Sequence, residues 1–377
     1  MNMKKIILSV LSALLIVGCK NDDTDFSAYI NGTSSTTINI INIVYNGTSV
    51  SVSGDKNGYV TTNGADVLVN TGTSSDSLLL VLSGSSSDGS LIIYRQRKFG
   101  IRLNGVSINN EDGPAINNQC GKGLYIEVAD GTTNTLSDGA SYIDVYDASG
   151  TSIDQKGALF SEGQIFFSGT GTLNVTGNCK NAIASDDYIV FGEATIKATA
   201  TVGNAIKVKD GVWINSGVLD ISATADGGRG IKCDSAVVVS GGTTTITTSG
   251  DCVYDEETAD YSSAACIKSD WTFTMTGGTL TMTSTGDGGK GVNCDKDITV
   301  SGGTFVARTT GSNDYAKPKA VKSDTGIIVS GGSFTATVNK SWACDNGTDS
   351  DIPSDHLTVQ GTPTSATIAK KSVEIVF

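Results

Sequence analysis

The feature that most constrains this chain is an internal repeat. Four segments share one pattern: Gly230-Ile231-Lys232-Cys233-Asp234, Cys266-Ile267-Lys268-Ser269-Asp270, Gly291-Val292-Asn293-Cys294-Asp295 and Ala320-Val321-Lys322-Ser323-Asp324. Each is followed by an alternating run and then a glycine pair: Gly241-Gly242, Gly277-Gly278, Gly302-Gly303 and Gly331-Gly332. Weaker copies begin at Leu159, Ile183 and Ile206. From Leu159 to Val321 the apolar anchors step by 24, 23, 25, 36, 25 and 29 residues. The step of 36 holds an insertion around residues 252–264, and the step of 29 a smaller one around 312–318. A repeat this short is one coil of a solenoid, because it cannot bury its own apolar face but can bury it against a neighbour. A propeller blade needs about 40 residues.

Within each repeat the period is two. Before the glycine pair the inward residues are expected to be pairs such as Val212/Ile214, Val237/Val239, Phe273/Met275 and Ile298/Val300. After it they are expected to be Leu219/Ile221, Thr244/Ile246, Leu280/Met282 and Phe305/Ala307. Two strands and a third short one around the anchor make a coil. The glycines stand where the chain must turn with positive φ. The composition agrees, with 46 Gly, 4 Pro and 17% charged residues. The fold expected is all-β, a right-handed parallel β-helix. Residues 37–150 are expected to be an N-terminal β region and first irregular coils, 151–345 regular coils and 346–377 a C-terminal cap that hides the open end.

The N-terminus points to export. Lys4 and Lys5 precede an apolar run, Ile6 to Val17, too short for a stable span and suited to a signal peptide. Ile16-Val17-Gly18-Cys19 resembles a lipobox cleaved ahead of a lipidated cysteine. This makes residues 1–18 a lipoprotein signal peptide, Cys19 the lipidation site and 19–36 a tether. Lys20-Asn21-Asp22-Asp23 resembles the acidic tether that directs some bacterial lipoproteins to the outer face; a plain solvated linker reads the same way. An outer-membrane lipoprotein held to the membrane only by its lipid is the expectation.

A net charge of −13 disfavours nucleic acid as a partner. Of 8 cysteines, Cys19 is reserved for lipid, leaving an odd number. Cys252 and Cys266 flank the larger insertion and could close it with a disulfide. Cys233 and Cys294 share a repeat position and read as small buried residues. The lone histidine, His356, leaves no material for a Ser/His/Asp triad.

The stretches Leu103-Asn104-Gly105-Val106-Ser107-Ile108, Ala129-Asp130-Gly131-Thr132-Thr133-Asn134-Thr135-Leu136 and Ser168-Gly169-Thr170-Gly171-Thr172-Leu173, with the Ser-Gly-Gly-Thr turns, resemble a known family. It is the bacterial β-helical carbohydrate-binding domain family, similar in fold to pectate lyases and carrying calcium. The resemblance covers about residues 40–345. It implies binding of pectin-like or cellulosic polysaccharide.

Three residues after each anchor stand Glu162, Asp186, Lys209, Asp234, Asp270, Asp295 and Asp324. Stacked strands lie about 4.8 Å apart, so such carboxylates need a cation or amine between them. Asp226, Asp251 and Asp287 precede the anchors, two of them in Asp-Gly-Gly turns. Calcium held by Asp226, Asp234, Asp251, Asp270, Asp287 and Asp295 is one expectation; neutralisation by Lys207, Lys232, Lys268 and Lys322 is the other. For the sugar, an aromatic face can stack on a pyranose. Trp213 alternates with inward neighbours and is expected to point outward. Tyr254 and Tyr261 lie in the insertion, and Lys232 and Lys268 could contact the glycan. Trp271 shares parity with Phe273 and is expected in the core, Trp342 in the cap. A polysaccharide lyase and an adhesin stalk are the alternatives to a non-catalytic binder.

Overall fold

A computed structural model describes residues 38–147 and 149–377. The signal peptide, Cys19 and the tether lie outside the described residues. Among the described residues no helix is long and apolar enough to cross a membrane.

The chain winds as a parallel β-helix with three faces. The first face is a twelve-stranded sheet that includes Ile206–Val208, Arg229–Cys233, Ala265–Ser269, Lys290–Cys294 and Lys319–Ser323. In it Ile206, Ile231, Ile267, Val292 and Val321 stand in register, so the sequence anchors form one column. The second face stacks Val212, Val237, Phe273, Ile298 and Ile327. The third stacks Leu219, Thr244, Leu280, Phe305 and Phe334. Every one of these side chains is buried, as period two requires. Rings continue the stack inside: Phe305 and Phe334 lie 4.8 Å apart and nearly parallel.

The corner from the first to the second face is closed by a column of small residues. Ser161, Ser185, Cys233, Ser269 and Ser323 each accept the amide two residues on. This explains why Cys and Ser interchange there. The corner from the second to the third face is the glycine pair. Gly242, Gly278, Gly303 and Gly332 have φ from 74° to 80°, and a Cβ there would strike the backbone of the coil before.

The same faces run through the N-terminal region, where the repeat is blurred in sequence. Phe99–Asn110 is one continuous strand that pairs with Leu124–Val128 and Thr133–Asp138, spanning two faces without a glycine pair. Both ends are closed by antiparallel strands, Val50–Ser53 and Val60–Asn63 at one end, Ser365–Ile368 and Ser372–Val376 at the other. They cover sheet edges that would otherwise invite pairing. Trp342, expected in the cap, instead stands in the last strand of the first face, in register with Lys319, with its ring stacked 4.0 Å from His356.

The cysteines depart from expectation. All seven described cysteines are free. The Cys266 thiol donates inward to the Ile246 carbonyl at 3.6 Å, whereas Cys252 donates to Asp287 Oδ2 at 3.4 Å. The two sulfurs serve different coils, so no disulfide closes the insertion. Burial pushes the Cys266 thiol up to about 12.

Candidate functional site

The third corner, from the third face back to the first, carries the insertions. Residues 252–264 form a hairpin in which Val253–Asp255 pairs antiparallel with Asp260–Ser262. Tyr254 stands directly opposite Tyr261, and their rings lie 5.2 Å apart. The second insertion arises two coils later and brings Tyr315 to 5.7 Å from Tyr261. Tyr254 is 51% exposed and Tyr315 69%. Three aromatic rings from two insertions thus make one exposed platform. Sequence reasoning found Tyr254 and Tyr261 but missed Tyr315. The signal was present: both insertions occur at the same corner, two steps of about 4.8 Å apart.

Buried polar groups hold the platform from below. Asp287 lies in the turn between the two insertions. Its Oδ1 accepts the Ser312 hydroxyl at 2.5 Å and the Asp314 amide at 3.0 Å; its Oδ2 accepts the Tyr315 amide at 3.1 Å and the Cys252 thiol. Burial alone would raise the Asp287 carboxyl, but the Ser312 hydroxyl and these amides hold it below the usual carboxylate range. The Lys290 ammonium is buried at the same corner and donates to Ser263 Oγ, the Gly288 carbonyl and the Lys317 carbonyl at 2.6–3.0 Å. Burial, reinforced by Lys319 and Lys322, pushes Lys290 down to about 8. Arg229 donates to Ser262 Oγ at 2.7 Å. Arg229 on one coil, and Asp287 with Lys290 two coils further on, therefore tie the insertions to the rigid stack.

The six acids expected to hold calcium do not converge. Lys232 Nζ lies 2.9 Å from Asp234 and also pairs with Asp270; Lys268 Nζ lies 3.1 Å from Asp270 and also pairs with Asp295. Ammonium and carboxylate groups alternate along the corner, so the cation between neighbouring acids is lysine. Burial would raise Asp270, but Lys232 and Lys268 hold it low. The same contacts correct the assignment of Lys232 and Lys268 to the glycan, since both ammonium groups are engaged and their side chains are only 17% and 16% exposed. At the other corner Asp226 accepts the Asp251 amide and Asp251 accepts the Asp287 amide. These carboxylates brace successive turns. Among the described residues the three acids whose ligand atoms do meet are Asp154, Glu162 and Asp186, and Lys156 pairs with Asp154 and Asp186. The six acids named from the sequence therefore do not form one calcium-binding donor set.

Trp213 points outward on the second face, half-buried, between buried Val212 and Ile214. Trp271 does not enter the core and is 54% exposed. The turn through Ser269 to Thr272 interrupts the alternation, so parity with Phe273 does not carry across it. Lys296 sits 5.8 Å over its ring.

A three-faced parallel solenoid bearing a braced, exposed aromatic corner places the chain among β-helical proteins. The chain belongs to the family of carbohydrate-binding domain-containing proteins, which it matches over residues 63–234 and 227–314. A solved polysaccharide lyase-like protein from C. thermocellum, studied as a gadolinium derivative, is similar in fold. The two are 22% identical, with a TM-score of 0.56 over 69% of this chain and 96% of that one. No curated protein matches.

Proposed function

We propose that this protein binds a neutral polysaccharide on the platform of Tyr254, Tyr261 and Tyr315, without converting it. The observation that carries the reading is the platform itself: three rings gathered from two insertions and fixed by Asp287, Lys290 and Arg229. A ring face offers apolar area to the C–H face of a pyranose, and a pre-ordered surface loses little entropy on binding. The rim is acidic. Asp255 and Asp260 stand opposite each other one rung from the tyrosines, and Asp314 adjoins Tyr315. Such a rim, on a chain of net charge −13, repels uronate polymers and tolerates neutral glucans.

Binding is preferred to lyase chemistry because both lysines whose basicity burial lowers are committed: Lys290 to two carbonyls and a hydroxyl beneath the platform, and Lys319 to the Asp345 carboxylate. A cleft of about 210 Å³ in the N-terminal region, lined by Asp66, Asn110, Asp112 and Gln155 among others, has no lysine, arginine or histidine in its lining to serve as a base. We further propose that Cys19 carries a lipid that holds the protein at the outer membrane. Replacing Cys19 by Ala should abolish palmitate labelling, and unchanged labelling would refute the anchor.

The test of binding is affinity electrophoresis in hydroxyethyl cellulose and in polygalacturonate. The wild type should be retarded by the neutral polymer and much less by the acidic one. Tyr254→Ala and Tyr315→Ala should each weaken retardation about tenfold, or about 1.4 kcal/mol. Equal retardation in both polymers that neither variant changes would refute the site, and unsaturated product from polygalacturonate would establish a lyase.

A further inference from the structure

The second face carries another aromatic surface. Tyr125 and Phe166 stand in register on neighbouring coils, rings parallel and 4.6 Å apart. Tyr188 follows at 5.6 Å from Phe166, and Trp213 at 5.4 Å from Tyr188. The strip crosses four consecutive coils, roughly 14 Å at about 4.8 Å per coil. All four side chains are half-buried and each is followed in its strand by a buried residue (Ile126, Phe167, Ile189, Ile214), so they lie on the outside of the stack. Gly211 stands opposite Tyr188, and a Cβ there would come within 2.5 Å of the Trp213 ring. The indole occupies the space that the missing side chain leaves.

Position in the coil separates this strip from the tyrosine platform. The chain turns from the first face to the second, then to the third, then through the insertions back to the first. In a closed three-sided coil the second face is the side opposite that last corner. The platform and the strip therefore point away from each other, and a short glycan cannot lie on both. The strip's flanks are polar and of mixed sign: Gln164 donates to Asp187, and Arg102 pairs with Glu127. Mixed flanks exert little net field and offer hydrogen bonds to hydroxyls, which suits an uncharged sugar.

We infer that the protein holds two neutral glycan chains at once, one on the tyrosine platform and one on the strip ending at Trp213, and so bridges them. The inference rests on the binding reading above and adds a second site facing the other way. Two sites that cannot engage one short segment give cross-linking between chains.

The experiment is light scattering of hydroxyethyl cellulose titrated with the full mature chain, beside affinity electrophoresis in the same polymer. Scattering should rise, peak at an intermediate ratio and fall in excess protein, when each chain is coated singly. Trp213→Leu, which keeps apolar packing without a ring, and Tyr188→Ala should each abolish the peak while retaining most of the retardation. Tyr315→Ala should abolish the peak as well. A wild-type peak in both strip variants would overturn the second site and leave the platform standing. Retardation unchanged by Tyr315→Ala would refute the platform reading and with it the bridge. Scattering by the protein alone that Trp213→Leu removes would assign the strip to a second copy of this chain, and would also overturn the inference.

Discussion

The carboxylate of Asp287 accepts the backbone amide of Tyr315 at 3.1 Å, across an interval of 28 residues in sequence. The same carboxylate accepts the Cys252 thiol, so one buried group touches both insertions of the platform. Asp287→Ala would leave the amides of Asp314 and Tyr315 without their acceptor. Hydrogen bonds to a charged group are worth about 1.5–3 kcal/mol, and the loss should appear as a fall of that order in the unfolding free energy measured by urea titration. Glycan affinity should fall with it, because Tyr315 would no longer be held. Asp287→Asn should fall between, since an amide oxygen still accepts but carries no charge. An unchanged affinity in Asp287→Ala would show that the brace is irrelevant to binding.

The lysine–aspartate corner predicts a particular response to acid and to calcium. Asp270 is held below its ordinary value, so between the folded and unfolded values the unfolded chain binds more protons. Its stabilising contribution is therefore complete above about pH 4 and is lost as pH falls through the lower folded value. Asp270→Asn should flatten the acid limb of the melting-temperature profile. Because lysines already fill the spaces between these acids, calcium or a chelator should leave the melting temperature unchanged. A calcium-dependent rise lost in the double variant Asp270→Asn with Asp295→Asn would show that the metal displaces the lysines.

Much of this architecture was legible because a β-helix repeats its physics. The anchors from Ile206 to Val321 stack in register as their spacing implied, and the inward pairs are buried. Alternation within a strand reports burial directly, but it does not survive a turn, as exposed Trp271 shows. The N-terminal coils were harder to read because Phe99–Asn110 passes through two faces without the glycine pair, and because the register shifts between Leu82 and Gly84. The platform was half legible. Tyr254 and Tyr261 declare themselves by sharing a hairpin, whereas Tyr315 joins them only through the winding of two coils. The pairing of Asp270 with Lys232 was one of two readings of the same column, and composition alone does not choose between an ammonium and a metal ion.

The free cysteines give a direct chemical check. Cys252 and Cys266 face different partners, and the Cys266 sulfur is fully buried. Unfolding the protein in denaturant without reductant should expose all seven described thiols to a maleimide, counted by mass. Reductant should not change the melting temperature. A mass two hydrogens short, restored by reductant, would show a disulfide that the native geometry does not contain.

The stacked column should be intolerant of change where its interior has no spare room. Ile246 is fully buried on the third face, and a Cβ placed on Gly230 would come within 2.2 Å of its Cγ2 and 2.6 Å of the Cys266 carbonyl. Ile246→Asp puts a carboxylate in that space with no partner, which costs several kcal/mol. Gly230→Ala adds one methyl where neither neighbour has room, at a cost of about 1–3 kcal/mol. Both should lower the temperature at which the coils unfold, the first far more than the second. Since each coil is supported by its neighbours, hydrogen exchange should show lost protection centred on residues 229–248 and spreading to the adjoining coils. Protection at wild-type levels in Ile246→Asp would mean that the side chain has left the column, and that the solenoid can shift its register there without unfolding.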